Sequence, residues 1–145
     1  MFPSKTYAVR REALRNKIGS GLILIPGNEA SPNNYPNNAY YFRQDSTFRY
    51  YFGLNTPSLA GVIDADSGEE ALYGDDLTIE DIIWTGPQPT LREEAAKAGV
   101  AETHPLAGLA ERIARAIALG RRVHYLPPYR GETKLRLSEL LGIAP

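Results

Sequence analysis

The chain has 145 residues, 43% apolar and 23% charged, with 16 basic against 17 acidic side chains and a formal charge of -1. This is one domain's length with a soluble, globular composition, which argues against a disordered tail, a membrane protein or a two-domain enzyme. The near-neutral balance leaves no basic field to hold a phosphate backbone. The absence of cysteine removes disulfides, thiolate nucleophiles and thiolate metal sites, and two histidines, His104 and His124, are thin material for an imidazole zinc site. The N-terminus lacks the order of a signal peptide, and the longest apolar run, Leu22 to Ile25, is too short to span a bilayer, so the expected location is cytoplasmic.

In chain order, the spacing of Tyr7, Leu14 and Ile18 predicts a helix over Ser4 to Ile18, with Arg10, Arg11, Glu12, Arg15 and Lys17 around its other sides and Gly19 past its end. The unbroken apolar run from Gly21 to Ile25 predicts a strand buried on both faces. Gly27 to Asn38, with five asparagines and two prolines, is a long loop that is either functional or a solvated connection. Ala39 to Gly53 holds seven of the fourteen aromatic residues, and Asp45 or Ser46 can cap a short helix from about Thr47 that turns Phe48, Tyr51 and Phe52 to a core.

Leu59 to Asp64 and Glu70 to Gly74 read as two strands joined in a hairpin. Thr78 with Asp81 and Thr90 with Glu93 open two further helices as capping boxes, the first ending near Ile83 and Trp84, the second running to Gly99. A helix over Pro105 to Leu119, with Leu106, Leu109, Ile113 and Ile117 as its apolar stripe, is followed by a strand at Arg121 to Leu126, stopped by Pro127 and Pro128. A last helix covers about Glu132 to Leu141. The expectation is a single α/β domain of roughly five helical pieces, with a mixed sheet.

No self-sufficient catalytic constellation is present. The acidic pairs Asp64 and Asp66, Glu69 and Glu70, Asp75 and Asp76, Glu80 and Asp81, and Glu93 and Glu94 all fit turns, loops or helix N-termini. His104 can cap a helix, and His124 sits in a strand. Gly19-Ser-Gly21 precedes a strand, whereas a dinucleotide fingerprint must follow one, and Gly131-Glu-Thr-Lys134 lacks the upstream glycine of a P-loop. What remains is an amide- and aromatic-rich segment, Asn33 to Tyr41, and the lone indole of Trp84, which fits either a core or an exposed position.

The run Tyr41-Phe-Arg-Gln-Asp-Ser-Thr-Phe-Arg-Tyr-Tyr-Phe-Gly-Leu-Asn-Thr-Pro57, followed by Gly61-Val-Ile-Asp64, resembles the signature of the N-terminal domain of Xaa-Pro aminopeptidases. Arg10, Arg11 and Leu14 before the first strand, and Ile83-Trp84-x-Gly86 after the hairpin, agree with it in the same order. The resemblance implies a creatinase N-terminal domain-like fold, a mixed sheet flanked by helices on both faces. It also implies a further, C-terminal domain beyond residue 145 that carries two divalent metals, typically manganese, and removes the residue preceding proline from a peptide.

In such a protein this domain is expected to be non-catalytic. Its implied partners are its own catalytic domain, neighbouring subunits of a homo-oligomer and the proline-containing peptide. Trp84 matches a tryptophan that walls the substrate pocket, and Asn37 falls at an acidic position of the pocket rim, here an amide. Arg43, Gln44 and Asp45 match the family motif and read as structural, with a buried or partly buried Arg–carboxylate pair pinning the helix of Phe48 and Tyr51. The alternative, from a different class, is a free-standing module that binds a peptide or sugar through Asn33 to Tyr41.

Overall fold

A computed structural model describes residues 1–36 and 38–145. Six helices and five strands follow one another as α1 (Ser4–Ile18), β1 (Leu22–Pro26), α2 (Ser46–Phe52), β2 (Ala60–Asp64), β3 (Glu70–Tyr73), α3 (Ile79–Thr85), α4 (Leu91–Ala98), β4 (Glu102–His104), α5 (Gly108–Ala118), β5 (Val123–His124) and α6 (Gly131–Leu141). The sheet order is β4-β3-β2-β1-β5, with β2 antiparallel to both its neighbours and the two outer pairings parallel. β1 and β2 are buried at nearly every position because both faces are covered.

Alternate residues of each strand serve opposite layers. Ile23, Ile25, Ile63 and Leu72 pack with Phe48 and Phe52 of α2 and with Ala95 and Ala98 of α4. Leu22, Leu24, Val62 and Tyr73 pack with Leu109 and Ile113 of α5 and with Leu137 of α6. The result is the mixed sheet with helices on both faces that the family resemblance implies. Among the described residues no helix is long and apolar enough to cross a membrane.

The aromatic helix α2 is seated by two glycines. Gly53 closes it at φ 71°, a left-handed conformation that favours glycine, and a Cβ there would stand 2.1 Å from the Tyr7 ring. On β2, a Cβ at Gly61 would stand 2.1 Å from Phe52, so the ring lies directly on the strand backbone.

Several expectations change. Arg11, placed by its spacing on the solvated side of α1, is fully buried. Its guanidinium donates to Glu70 (2.8 Å) and to the carbonyls of Tyr51 (2.8 Å), Ala98 (3.0 Å) and Gly99 (3.2 Å). These carbonyls belong to the C-terminal ends of α2 and α4, where main-chain acceptors lack helical partners and the helix dipoles favour a cation. α1 therefore carries a charge to the point where two helix ends converge.

Residues 102–104 form an edge strand, so His104 caps no helix, and α5 begins at Gly108 after a turn at Pro105. Ala116 takes the inward place expected of Ile117, which is exposed. Ile18 is also exposed. The strand expected over Arg121 to Leu126 is paired only at Val123 and His124. Each of the six helical segments named in chain order forms, α2 and α3 being the shortest at seven residues each.

Candidate functional site

The motif segment is held by amides and a cap. Gln44 is buried; its side-chain oxygen accepts from the backbone N–H groups of Asn28 and Asp45, and its Nε2 donates to the Thr56 carbonyl (2.7 Å). Asp45 caps α2 by accepting from the Phe48 amide (2.9 Å), and its second oxygen accepts from the Tyr129 hydroxyl (3.0 Å). Phe48 is buried and Tyr51 half-buried, where burial first and the neighbouring Tyr50 second push the Tyr51 hydroxyl above its ordinary pKa.

Arg43 differs from the expected arrangement. Its side chain is exposed, and among the described residues it forms no ion pair; the buried Arg–carboxylate pair is Arg11 with Glu70. Pinning of α2 by a guanidinium does occur, but from α1. In addition to Arg11, Arg10 donates to the Tyr50 carbonyl (2.9 Å), with its guanidinium 4.1 Å from the centre of the Tyr50 ring.

The described residues on either side of Asn37 meet across the Asn33 to Tyr41 segment. Asn33 donates to the Asn38 carbonyl (2.7 Å), Tyr40 to that of Ser31 (2.9 Å), and Pro32 bridges Ala39. Asn37 lies outside the described residues. Beside the loop, an open cleft of about 510 Å³ is lined by Asn28, Arg43, Gln44, Ser46, Tyr129 and Arg130. A second cleft of about 250 Å³ shares Arg43 and Arg130 with it and is also lined by Tyr40 and Tyr41, among others. Tyr129 and Arg130 went unrecognised in the sequence, where Pro127-Pro128 signalled only the end of a strand.

Trp84 stands apart from these clefts. It is 82% exposed on α3, which has no buried residue and also exposes Ile79 and Ile83. α3 holds together locally through its capping box, in which the Thr78 hydroxyl accepts from Asp81 N while the Asp81 carboxylate accepts from Thr78 N. Of the two positions open to Trp84, the exposed one is occupied. The sequence cue for this outcome is the surround: Asp75, Asp76, Glu80, Asp81 and the Gly86-Pro87 break leave no second apolar element beside the helix.

Several of the acids are committed to the protein's own donors. Asp64 accepts from Arg121 (2.6 and 3.0 Å), from Arg112 (3.3 Å) and from the amides of Asp66 (3.0 Å) and Ser67 (3.2 Å). Burial by itself raises its carboxyl pKa; the Arg121 hydrogen bonds, the two amides and the Arg121 charge outweigh it and hold the group below its ordinary value. His124 Nε2 contacts the Ser20 carbonyl (2.9 Å), and His104 lies against Tyr73. Among the described residues no three His, Asp or Glu side chains converge as a group able to hold a metal ion. The donors present do not fit a divalent metal centre.

The family model for the aminopeptidase P N-terminal domain matches residues 7–125. A probable Xaa-Pro aminopeptidase from Arthroderma otae is 33% identical over 96 residues, which are 66% of this chain and 19% of that protein. A human Xaa-Pro dipeptidase is 26% identical over 91 residues, 58% of this chain and 18% of that protein. Among solved structures, a substituted Escherichia coli aminopeptidase P in complex with substrate superposes with a TM-score of 0.80 at 20% identity, covering 97% of this chain and 33% of that one. Pseudomonas aeruginosa aminopeptidase PepP gives 0.80 at 22% identity, with 97% and 32% covered. The chain thus spans about a fifth of the length of these curated relatives and about a third of the solved ones.

Proposed function

The chain belongs to the aminopeptidase P N-terminal domain family, and from that membership we propose that it is the non-catalytic front portion of a metal-dependent Xaa-Pro aminopeptidase. The observation that carries the reading is Trp84, a large indole held out on a helix that buries nothing in its own domain. An exposed aromatic of this kind gains most by walling a pocket that another domain or subunit completes, and a flat apolar wall suits a proline ring and the side chain before it. The hydrolytic chemistry belongs to two divalent metals, manganese being the expected pair, in a C-terminal domain. The residues of this chain supply the wall, the subunit contact and the rigid frame behind them.

Two measurements test the proposal. The 145-residue chain is expected to release no first residue from an Xaa-Pro peptide with manganese present, whereas the full-length protein releases it. Activity in the isolated chain refutes the proposal. In the full-length protein, Trp84→Ala is expected to lower kcat/KM by roughly tenfold to a hundredfold with metal content unchanged. Unchanged kcat/KM removes Trp84 from the pocket.

A further inference from the structure

At one place in the sheet, neighbouring parallel strands send the chain to opposite faces. β1 and β5 run side by side in the same direction and end at Pro26 and His124. Beyond β1 the chain goes to α2, whose Phe48 and Phe52 pack in one layer; beyond β5 it goes to α6, whose Leu137 packs in the other. Loops that diverge in this way leave a crevice outside the carboxyl ends of the strands, where open α/β sheets take their ligands. The cleft of Asn28, Arg43, Gln44, Ser46, Tyr129 and Arg130 is that crevice, lined from both loops.

Its frame is fixed while its charge is largely free. Asn28 and Gln44 are buried, Asn28 Nδ2 donates to the Arg43 carbonyl (2.9 Å), and the Arg130 carbonyl accepts from Lys134 N (3.0 Å) in the first turn of α6. The backbone of both arginines is thus held in place. Among the described residues Arg43 forms no ion pair, and Arg130 has one, with the exposed Glu132 at 3.5 Å. The described lining of this cleft includes no acid; Asp45 nearby is taken up by the Phe48 amide and the Tyr129 hydroxyl. Glu29, which lines the second cleft, lies 3.4 Å from Arg136. Two guanidinium groups on one cleft, with no carboxylate of its own between them, suit a planar oxyanion.

The surroundings favour an oxyanion carried on a chain end. A narrower cavity of about 120 Å³ shares Asn28, Tyr129 and Arg130 with the cleft and is walled by Leu24, Ile25, Pro26, Leu126, Pro127 and Pro128, with room for one aliphatic or proline side chain. The second cleft presents Tyr40 and Tyr41, 60% and 96% exposed, as flat faces for a peptide main chain. A bare inorganic anion uses none of this surface, whereas the last residues of a peptide use all of it.

We propose that this crevice binds the C-terminal end of a short peptide, with the free carboxylate on Arg43 and Arg130 and the last side chain, aliphatic or proline, in the apolar cavity. Such recognition deepens the proposed function by giving the peptide a second point of contact, at the end away from the bond to be cleaved. It rests on that reading only in taking peptides as the ligand class.

Calorimetric titration of the full-length protein with N-acetyl-Ala-Ala-Leu tests it, because the blocked amino end keeps this probe from serving as an aminopeptidase substrate. The free acid is expected to bind at least about tenfold more tightly than the same peptide as its C-terminal amide. Arg43→Gln and Arg130→Gln should each weaken binding of the free acid by about tenfold and leave that of the amide unchanged, with the unfolding temperature preserved because neither side chain is part of the core. Arg43→Lys, which keeps the charge and loses the fork, should weaken it less than Arg43→Gln. Equal affinity for acid and amide in the unsubstituted protein overturns the proposal, as does the absence of binding. Free-acid binding that is unchanged in both glutamine variants also overturns it, by placing the peptide elsewhere on the protein. So does acetate or inorganic phosphate that binds as tightly as the peptide acid, which assigns the crevice to free anions. Failure of the full-length protein to release the first residue of an Xaa-Pro peptide, with the preference for the free acid intact, would instead count against the functional proposal and leave the crevice as a peptide site.

Discussion

Replacing Arg11 by alanine removes a fully buried guanidinium, and with it four hydrogen bonds of 2.8 to 3.2 Å that tie α1 to β3 and to the C-terminal ends of α2 and α4. Charged hydrogen bonds contribute about 1.5–3 kcal/mol each, but their sum overstates the effect because burying the cation itself carries a desolvation cost. Part of the Glu70 carboxylate also rehydrates, since its side chain is 19% exposed. The unpaired carboxylate, the unmatched carbonyls and the vacated space together place the loss at about 3–5 kcal/mol, the range for breaking a buried pair from one side.

Urea unfolding should show this as a lower midpoint at unchanged slope. Arg11→Lys keeps the charge but cannot span acceptors on both sides, and should lose about 1–3 kcal/mol. Arg11→Met combined with Glu70→Leu should recover most of the loss seen in Arg11→Met alone, because the Glu70 carboxylate that the single change leaves without its cation is then removed as well. The neighbouring Arg10→Ala, which removes an exposed contact to Tyr50, is the control at about 1 kcal/mol or less. A loss below about 1 kcal/mol for Arg11→Ala, or equal losses for Arg10→Ala and Arg11→Ala, would refute the account of two helix ends meeting on one cation.

Gly61→Ala should destabilise the fold by about 1–3 kcal/mol, because the new methyl meets the fully buried Phe52 ring; thermal unfolding checks this, and an unchanged midpoint would mean that α2 can lift off the sheet. Gln44→Ala leaves the amides of Asn28 and Asp45 without their acceptor and should lose about 2–4 kcal/mol in urea unfolding. Trp84→Ala should leave the stability of this chain within about 0.5 kcal/mol, since the indole is exposed; a larger loss would assign it a packing role instead. Asp64→Asn tests the arginine network by pH. The folded carboxyl lies below its ordinary value, so its contribution is complete above about pH 4 and is lost as pH falls through the folded value. The gap between Asp64→Asn and the unsubstituted chain should be wide at neutral pH and narrow in acid, and a gap that widens in acid reverses the assignment.

Elements whose signals act within a few residues were legible. The capping boxes at Thr78 and Thr90 start α3 and α4, glycines at 53, 99 and 142 end α2, α4 and α6, and the apolar run from Leu22 is the buried β1. β4 was not legible: Glu-Thr-His has no apolar alternation, and only the neighbouring β3 holds it extended. β5 was overextended because its residues suit a strand, yet pairing along a sheet edge decides how many of them join.

The candidate site divides in the same way. The local pattern marked Gln44, Asp45 and Trp84, but Tyr129 and Arg130 join the cleft beside Asn28 only through the fold. By itself the sequence determined the layer pattern and the family motif. Only the tertiary structure decided that Arg11 is buried and Trp84 is not. A side chain's spacing on its own helix sets which way it points, but what it meets there depends on other elements. For Arg11 those are carbonyls 40, 87 and 88 residues away; for Trp84, among the described residues, no packed element is there at all.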